Sequence, residues 1–279
     1  MPFPTIISIM LQSNISPKKI SVSVLKFLTV LAFWIAVWCL LSWRINNDFL
    51  FPSPLAVIKE LGTLIGEKSF WVISLTSLFR VLLGTVVSIV IGIILGVITS
   101  HSKVLDLLIS PLMSVIKSTP VASFIILACV WLNRDILPIF ITSLIVIPIV
   151  WSNISEGFSS VDKNLKDVTR VYRFSFAKKV YRLYIPSVLP YFFAACKSSL
   201  GMAWKAGIAA EILAVPQNSI GTELYYAKTY FETTTMFAWT LIIIVLSMIF
   251  EKLFVFSLER LGNRLHVVAK GGVRNAEGQ

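Results

Sequence analysis

Charge is what this sequence has least of. Asp, Glu, Lys and Arg make up 14% of its 279 residues, against 56% hydrophobic, whereas a soluble domain carries about 25% charged residues. That balance excludes a water-soluble globular domain, and with it any estimate of domain number from length. Cysteine and histidine are equally sparse. Cys39, Cys129 and Cys196 lie singly inside apolar runs, and His101 and His266 are far apart in sequence. Neither a disulfide framework nor a metal-ligand spacing results. The cysteines read as buried small hydrophobes, reduced and inert, and the histidines as solvated. Catalytic signatures are missing too. There is no Gly-x-Ser-x-Gly elbow, and Gly66-Glu67-Lys68-Ser69 interposes Glu67 where a phosphate loop needs Gly-Lys. No apolar run holds an acidic pair. Catalysis and nucleotide binding are both expected to be absent from this chain.

What remains is apolar sequence in long runs, and these predict an all-α polytopic membrane protein with six transmembrane helices. The expected spans are 24–43, 71–100, 118–133, 136–155, 187–210 and 233–250, each near the length that crosses about 30 Å of hydrocarbon, although 118–133 is short and should borrow from the loop before it. A tail over 1–23 precedes this 24–250 membrane domain, and a basic tail over 251–279 follows it. The charges of the first tail, Lys18 and Lys19, come after its apolar decapeptide, whereas a secretory signal places them before. Residues 55–66 form a helix too short to span, expected at an interface. Gly92 and Gly96 invite close helix approach and mark a candidate face for meeting a second copy. Pro148 should kink the fourth span. Arg80 is awkward inside the second; it is expected to snorkel outward, the alternative being a pair with Glu67.

The net charge of +11 reads as orientation rather than as nucleic-acid binding. With the N-terminus inside, the outer segments hold Arg44, Lys59, Lys68, Arg80, Arg134 and Lys228. Apart from Lys197 and Lys205 in the fifth span, every other Lys and Arg falls on the inner side. Basic residues concentrate in cytoplasmic loops, so both termini and the loop 156–186 are expected in the cytoplasm.

That loop, EGFSSVDKNLKDVTRVYRFSFAKKVYRLYIP, is the one long charged stretch between two long apolar ones. Val161, Leu165, Val168 and Val171/Tyr172 recur at helical steps. A second basic turn from Ala177 to Tyr184 is expected to stop at Pro186. A short amphipathic helix on a membrane loop needs another surface for its apolar side, which suggests a partner protein.

Here a resemblance becomes specific. Asp167-Val168-Thr169, Arg173 four residues later, and Leu183-Tyr184-Ile185-Pro186 keep the spacing of the cytoplasmic coupling loop of ABC-importer permeases, without that loop's Ala pair and Gly. Phe51-Pro-Ser-Pro-Leu55, Ser77-Leu-Phe-Arg-Val-Leu-Leu-Gly84, Lys117-Ser-Thr-Pro120 and Leu200-Gly-Met-Ala-Trp204 with Ala210-Glu211 fall in the family's order. Nearly the whole chain after residue 50 thus resembles the nitrate/sulfonate/taurine type of permease. The resemblance implies a type I importer permease fold with a coupling helix between spans four and five. It implies ABC ATPase subunits that bind ATP and magnesium, an extracytoplasmic solute-binding protein, a second permease copy or close paralogue, and a bacterial plasma (inner) membrane. Asp167, Val168, Thr169, Arg170, Val171, Tyr172, Arg173, Phe174, Phe176 and Pro186 would form the ATPase contact. Arg173 stands at the family's glycine, so an ordinary helical turn is expected there.

Lys197 and Lys205 lie roughly 15 and 27 Å into the fifth span. A lysine at mid-bilayer costs about 2.5–3.5 kcal/mol, so both should face water or a polar interior. Either they pair structurally, Lys205 reaching toward Glu211, or Trp204, Lys205, Glu211 and Lys197 line a path for a small anionic or zwitterionic solute. A six-span carrier or channel independent of ATP is the alternative function. Such proteins show intramembrane carboxylates or paired broken helices, and neither pattern is visible.

Overall fold

The computed structural model describes residues 17–274, with side chains from 28 to 258 and at Lys26 and Arg260. Most of the tail expected over 1–23, and residues 275–279 of the C-terminal tail, lie outside the described residues. Among those described, the regular elements are helical: α1 Pro17–Ile45, α2 Pro54–Gly66, α3 Lys68–His101, α4 Lys103–Ser118, α5 Val121–Cys129 and α6 Leu137–Ser159. Then come α7 Lys163–Val171, α8 Phe176–Lys179, a π-helical turn Val180–Tyr184, α9 Ile185–Ala214, α10 Ile220–Thr229 and α11 Thr233–Arg274.

Caps and prolines set these boundaries. Ser53 accepts a hydrogen bond from the Ala56 amide at 3.2 Å, with Pro54 in the first turn of α2. Ser102 breaks α3 from α4 and caps the latter through the Leu105 amide. Thr119 precedes Pro120 and is therefore held extended. The chain turns there by 101° between α4 and α5.

The core is a packed trio of α3, α6 and α9, with α6 in the middle. Val81 of α3, Val146, Val150 and Ile154 of α6, and Leu200, Ala203, Trp204 and Ile208 of α9 fill it. Close approach of α3 to α6 depends on missing side chains. A Cβ on Gly84 would sit 2.8 Å from the Ile139 carbonyl oxygen, one on Gly92 2.7 Å from Val150 Cβ, and one on Gly96 2.7 Å from Ile154 Cβ. The Gly92/Gly96 face expected to meet a second copy is consumed inside the protomer. The pattern encodes close packing, but the neighbour is α6. Helices α1 and α11 lie outside this trio, and α1 leaves most of its apolar surface uncovered.

Among the described residues, four helices are long and apolar enough to cross a membrane, Leu28–Ile45, Lys68–His101, Leu137–Ser159 and Thr233–Leu258, and a fifth span results if the bent pair of α4 and α5 is counted as one. α9 has ample length, 30 residues, but falls outside that set because Lys197 and Lys205 interrupt its apolarity. The run expected to span at 118–133 does not form a helix of that length. Its helical part, α5, has nine residues, and Pro120 turns it sharply from α4. α6 runs unbroken through Pro148. Nor does the chain stop at Pro186. The π turn carries α8 directly into α9, with the Ile185 amide bonded back to the Val180 carbonyl. Proline suits a first helical turn because its missing N–H would be unpaired there in any case.

Candidate functional site

The basic end of the bundle carries α7. Asp162 caps it, accepting from the Asn164 amide at 2.8 Å, and Asp167 pairs weakly with Arg170 at 3.6 Å on its exposed side. The helix closes with two bonds. The Arg173 amide donates to the Arg170 carbonyl at 3.1 Å, and the Phe174 amide to the Thr169 carbonyl at 3.0 Å. This paired closure places the residue after the cap in the left-handed region, where glycine is usual. Arg173 stands there with φ +47°, so the ordinary helical turn expected at this position is replaced by a tight reversal. The left-handed geometry usual for a glycine is adopted here by an arginine.

Within this end Thr169 is buried, as is Val161 just before α7. The periodic apolar residues do not share that fate. Leu165 and Val168 are exposed, and Val171, Tyr172 and Phe176 stand 77%, 72% and 79% exposed. Phe174 is half-covered, with the Lys178 ammonium 4.4 Å from its ring centre. Pro186 is exposed at the first turn of α9. The sequence-expected contact residues therefore gather on one end as an apolar tip rimmed by Lys163, Lys166, Arg170 and Arg173. Burying each large apolar side chain there would contribute about 1.5–3 kcal/mol.

The residues expected along a path separate. Lys197 and Lys205 share the exposed side of α9 with Gly201 and Met202. Trp204 points the other way, buried against Phe250 at 5.9 Å between ring centres. Glu211 is 0% exposed and is not approached by Lys205. Ser77 donates to it at 2.8 Å and the Gly221 amide at 3.2 Å, both on Oε2. Arg80 Nη1 stands 3.9 Å from Oε1, a separation that charge spans but a direct hydrogen bond does not.

Arg80 neither snorkels nor meets Glu67. It is buried and donates through Nη2 to Asp135 at 2.6 Å and to the Gln217 carbonyl at 3.0 Å. A guanidinium within an apolar helix is tolerated when paired and hydrogen-bonded. Ser77 also accepts from the Ile220 amide at 2.9 Å, so α10 begins on this cluster. Contact there is tight: a Cβ on Gly221 would lie 2.3 Å from Glu211 Cβ. Asp135 and Gly221 carry no functional signal in the sequence, and Ser77 stands out there only as the start of the segment Ser77–Gly84. The available signal was the arginine itself, which demands a carboxylate without saying which one.

Residues 88–263 match the family described as "Binding-protein-dependent transport system inner membrane component". That match runs from the middle of α3 through the basic end and into α11. Among relatives, the chain is 24% identical over 238 residues to an aliphatic sulfonates transport permease protein, SsuC of Bacillus subtilis strain 168, covering 85% of this chain and 86% of that one. It is 28% identical over 203 residues to the nitrate import permease protein NrtB of Synechococcus elongatus PCC 7942, covering 68% and 71%. With the bicarbonate transport system permease protein CmpB of Synechocystis sp. PCC 6803 it shares 33% identity over 151 residues, covering 52% and 51%. A family match over more than half of the chain, on an all-helical apolar bundle, settles the class: this chain belongs to the inner membrane components of binding-protein-dependent transport systems, a transport subunit rather than an enzyme.

Proposed function

We propose that the chain is the permease subunit of an ATP-driven importer for a small anionic or zwitterionic solute. It would span the membrane six times, with the bent pair α4/α5 and the lysine-bearing α9 joining the four apolar helices. Both termini and the basic end would face the cytoplasm. The class of solute is suggested by the relatives named for sulfonates, nitrate and bicarbonate. In this reading α7 and α8 seat in a cleft of the ATPase, while a solute-binding protein delivers its cargo at the opposite end. Lys197 and Lys205, exposed on this protomer, would face a water-filled path completed by a second permease copy, because leaving them against lipid costs about 2.5–3.5 kcal/mol each.

The observation that carries the reading is the uncovered apolar tip of Val168, Val171, Tyr172 and Phe176 beside a basic rim. A hydrophobic patch rimmed by charge on a family member with a required energy source is an interaction site. Tyr172→Ala should weaken retention of the ATPase roughly thirtyfold, the equivalent of about 2 kcal/mol for a desolvated aromatic anchor. The measurement is co-purification with, and titration of, the ATPase subunit at constant permease expression. Wild-type retention together with wild-type uptake would remove Tyr172 from the contact.

A further inference from the structure

At the end of the bundle opposite α7 there is a cavity of about 470 Å³, lined by Cys129, Leu132, Arg134, Leu137, the α9 terminus Leu213–Val215, and Tyr225 and Tyr226. Among the described residues lining it, Arg134 is the one charged side chain. Its walls are the α5–α6 turn, the end of α9 and the face of α10. Each is tied to the buried polar cluster behind. Arg80 holds Asp135, the residue next to Arg134. Glu211, on the last turn of α9, accepts from the Gly221 amide in the first turn of α10. Ser77 binds both Glu211 and the Ile220 amide. The turn leaving α9 is itself forced at Val215, whose φ of +52° is a conformation that a β-branched residue rarely adopts.

We infer that this cavity is a binding site for a small oxyanion, with Arg134 as its cation and Tyr225 and Tyr226 as walls able to offer phenolic O–H donors. A guanidinium presents a planar fork of donors that matches sulfonate, nitrate or carboxylate oxygens. The Arg80 and Glu211 charges are turned into the protein and engaged with one another and with Asp135. Arg134 therefore sets the sign of what the cavity accepts. Anchored walls keep the site formed before any solute arrives, which lowers the ordering cost of binding. The inference rests on reading this end as extracytoplasmic and the protein as an anion importer. The cavity then receives solute released from the binding protein, ahead of the path along α9.

The chain carries its own reporter. Of the three cysteines that their apolar runs lead one to expect buried, Cys196 is, whereas Cys129 lines the cavity and is exposed, and Cys39 is exposed on α1 because no neighbouring helix covers it. Full-length protein bearing Cys39→Ser, in intact spheroplasts, is treated with anionic sulfonatoethyl or cationic trimethylammonioethyl methanethiosulfonate, each rate divided by that on a free thiol. The anionic reagent should modify Cys129 roughly tenfold faster, the effect of one nearby charge on two probes of opposite sign. Arg134→Gln should bring the ratio near unity, and Arg134→Lys should keep most of it. Millimolar methanesulfonate at matched ionic strength should slow labelling when Arg134 is present and not in the Gln variant. Equal normalised rates in the Arg134 protein, a preference that survives Arg134→Gln, absence of methanesulfonate protection, or labelling only after permeabilisation would each overturn the site. The readout uses neither ATPase nor uptake. A coupling failure at Tyr172 would therefore leave it untouched, and its own failure would leave that contact standing.

Discussion

The two ends of this bundle solve opposite problems. At one, Arg80, Asp135, Glu211, Ser77 and the amides of Ile220 and Gly221 are linked by hydrogen bonds, Glu211 has no exposed surface, and Arg80 Nη1 faces Glu211 Oε1 across 3.9 Å with charge attraction but no hydrogen bond. At the other, Val171, Tyr172 and Phe176 are left uncovered among lysines and arginines. Charges face inward at the first and apolar groups face outward at the second. An end with its polar groups consumed internally is built to hold its shape, whereas one with unpaired apolar groups is built to be completed by something else.

The largest effect should come from the stapled end. Arg80→Ala leaves the Glu211 carboxylate buried with its charge partner removed, and breaking such a pair costs about 3–5 kcal/mol. Thermal unfolding in detergent should show a large fall in Tm, with poor recovery from the membrane. An unchanged Tm would mean the cluster is not what fixes that end. At the open end the contrast should be complete. Phe176→Ala should shift stability by no more than about 0.5 kcal/mol while weakening ATPase retention, so a fall in Tm there would break the comparison. Between the two ends, Lys205→Ala should lower uptake of an anionic solute with assembly and basal ATP hydrolysis kept. Transport at the wild-type rate would return Lys205 to a structural role.

A finer test lies in the reversal after α7. Arg173→Gly relieves a left-handed backbone that costs a non-glycine residue about 1 kcal/mol, so thermal stability should rise slightly with coupling kept. The smallest effect concerns Glu223 on α10. Burial first, then the neighbouring charges of Glu67 and Glu232, raise its pKa above the ordinary 4.5. A carboxylate raised on folding is penalised while ionised. Stability should therefore increase as pH falls through the raised value, and the gain is complete near the ordinary one. Glu223→Gln should flatten that part of a Tm-against-pH curve. An unchanged slope would show that Glu223 is not a source of this pH dependence.

How much of this was legible in the sequence follows from the range of each signal. Local signals were sound: the apolar runs gave an all-helical membrane protein, and the steps from Val161 to Tyr172 gave a helix at α7. Signals that depend on a distant partner were not readable. Arg80 required a carboxylate, yet nothing local distinguishes Asp135 and Glu211 from Glu67. Gly92 and Gly96 announced a close neighbour, and only the fold shows that it is α6. Arg173 misleads because propensity speaks against a left-handed arginine, while the paired hydrogen bonds that close α7 place one there. Pro186 was read as a stop because a π turn that delivers the chain into a proline's first helical turn leaves no compositional mark. The cavity at Arg134 draws on the α5–α6 turn, the end of α9 and the face of α10, and no motif spans them.

The helix that begins at Phe176 does not end until Ala214, passing through the π turn without a loop. At about 1.5 Å per residue this is a rod nearly 60 Å long. One end lies beside the exposed tip of α7, and the last turn of the other holds the carboxylate that fastens α10. In mechanical terms the protein has a pushrod where its sequence suggested two pieces and a joint. The chain between Phe176 and Glu211 is helical throughout, so on the proposed topology a partner seated at Phe176 would be joined to the wall of the cavity by unbroken helix, with the π turn and Pro190 as the places where it could bend.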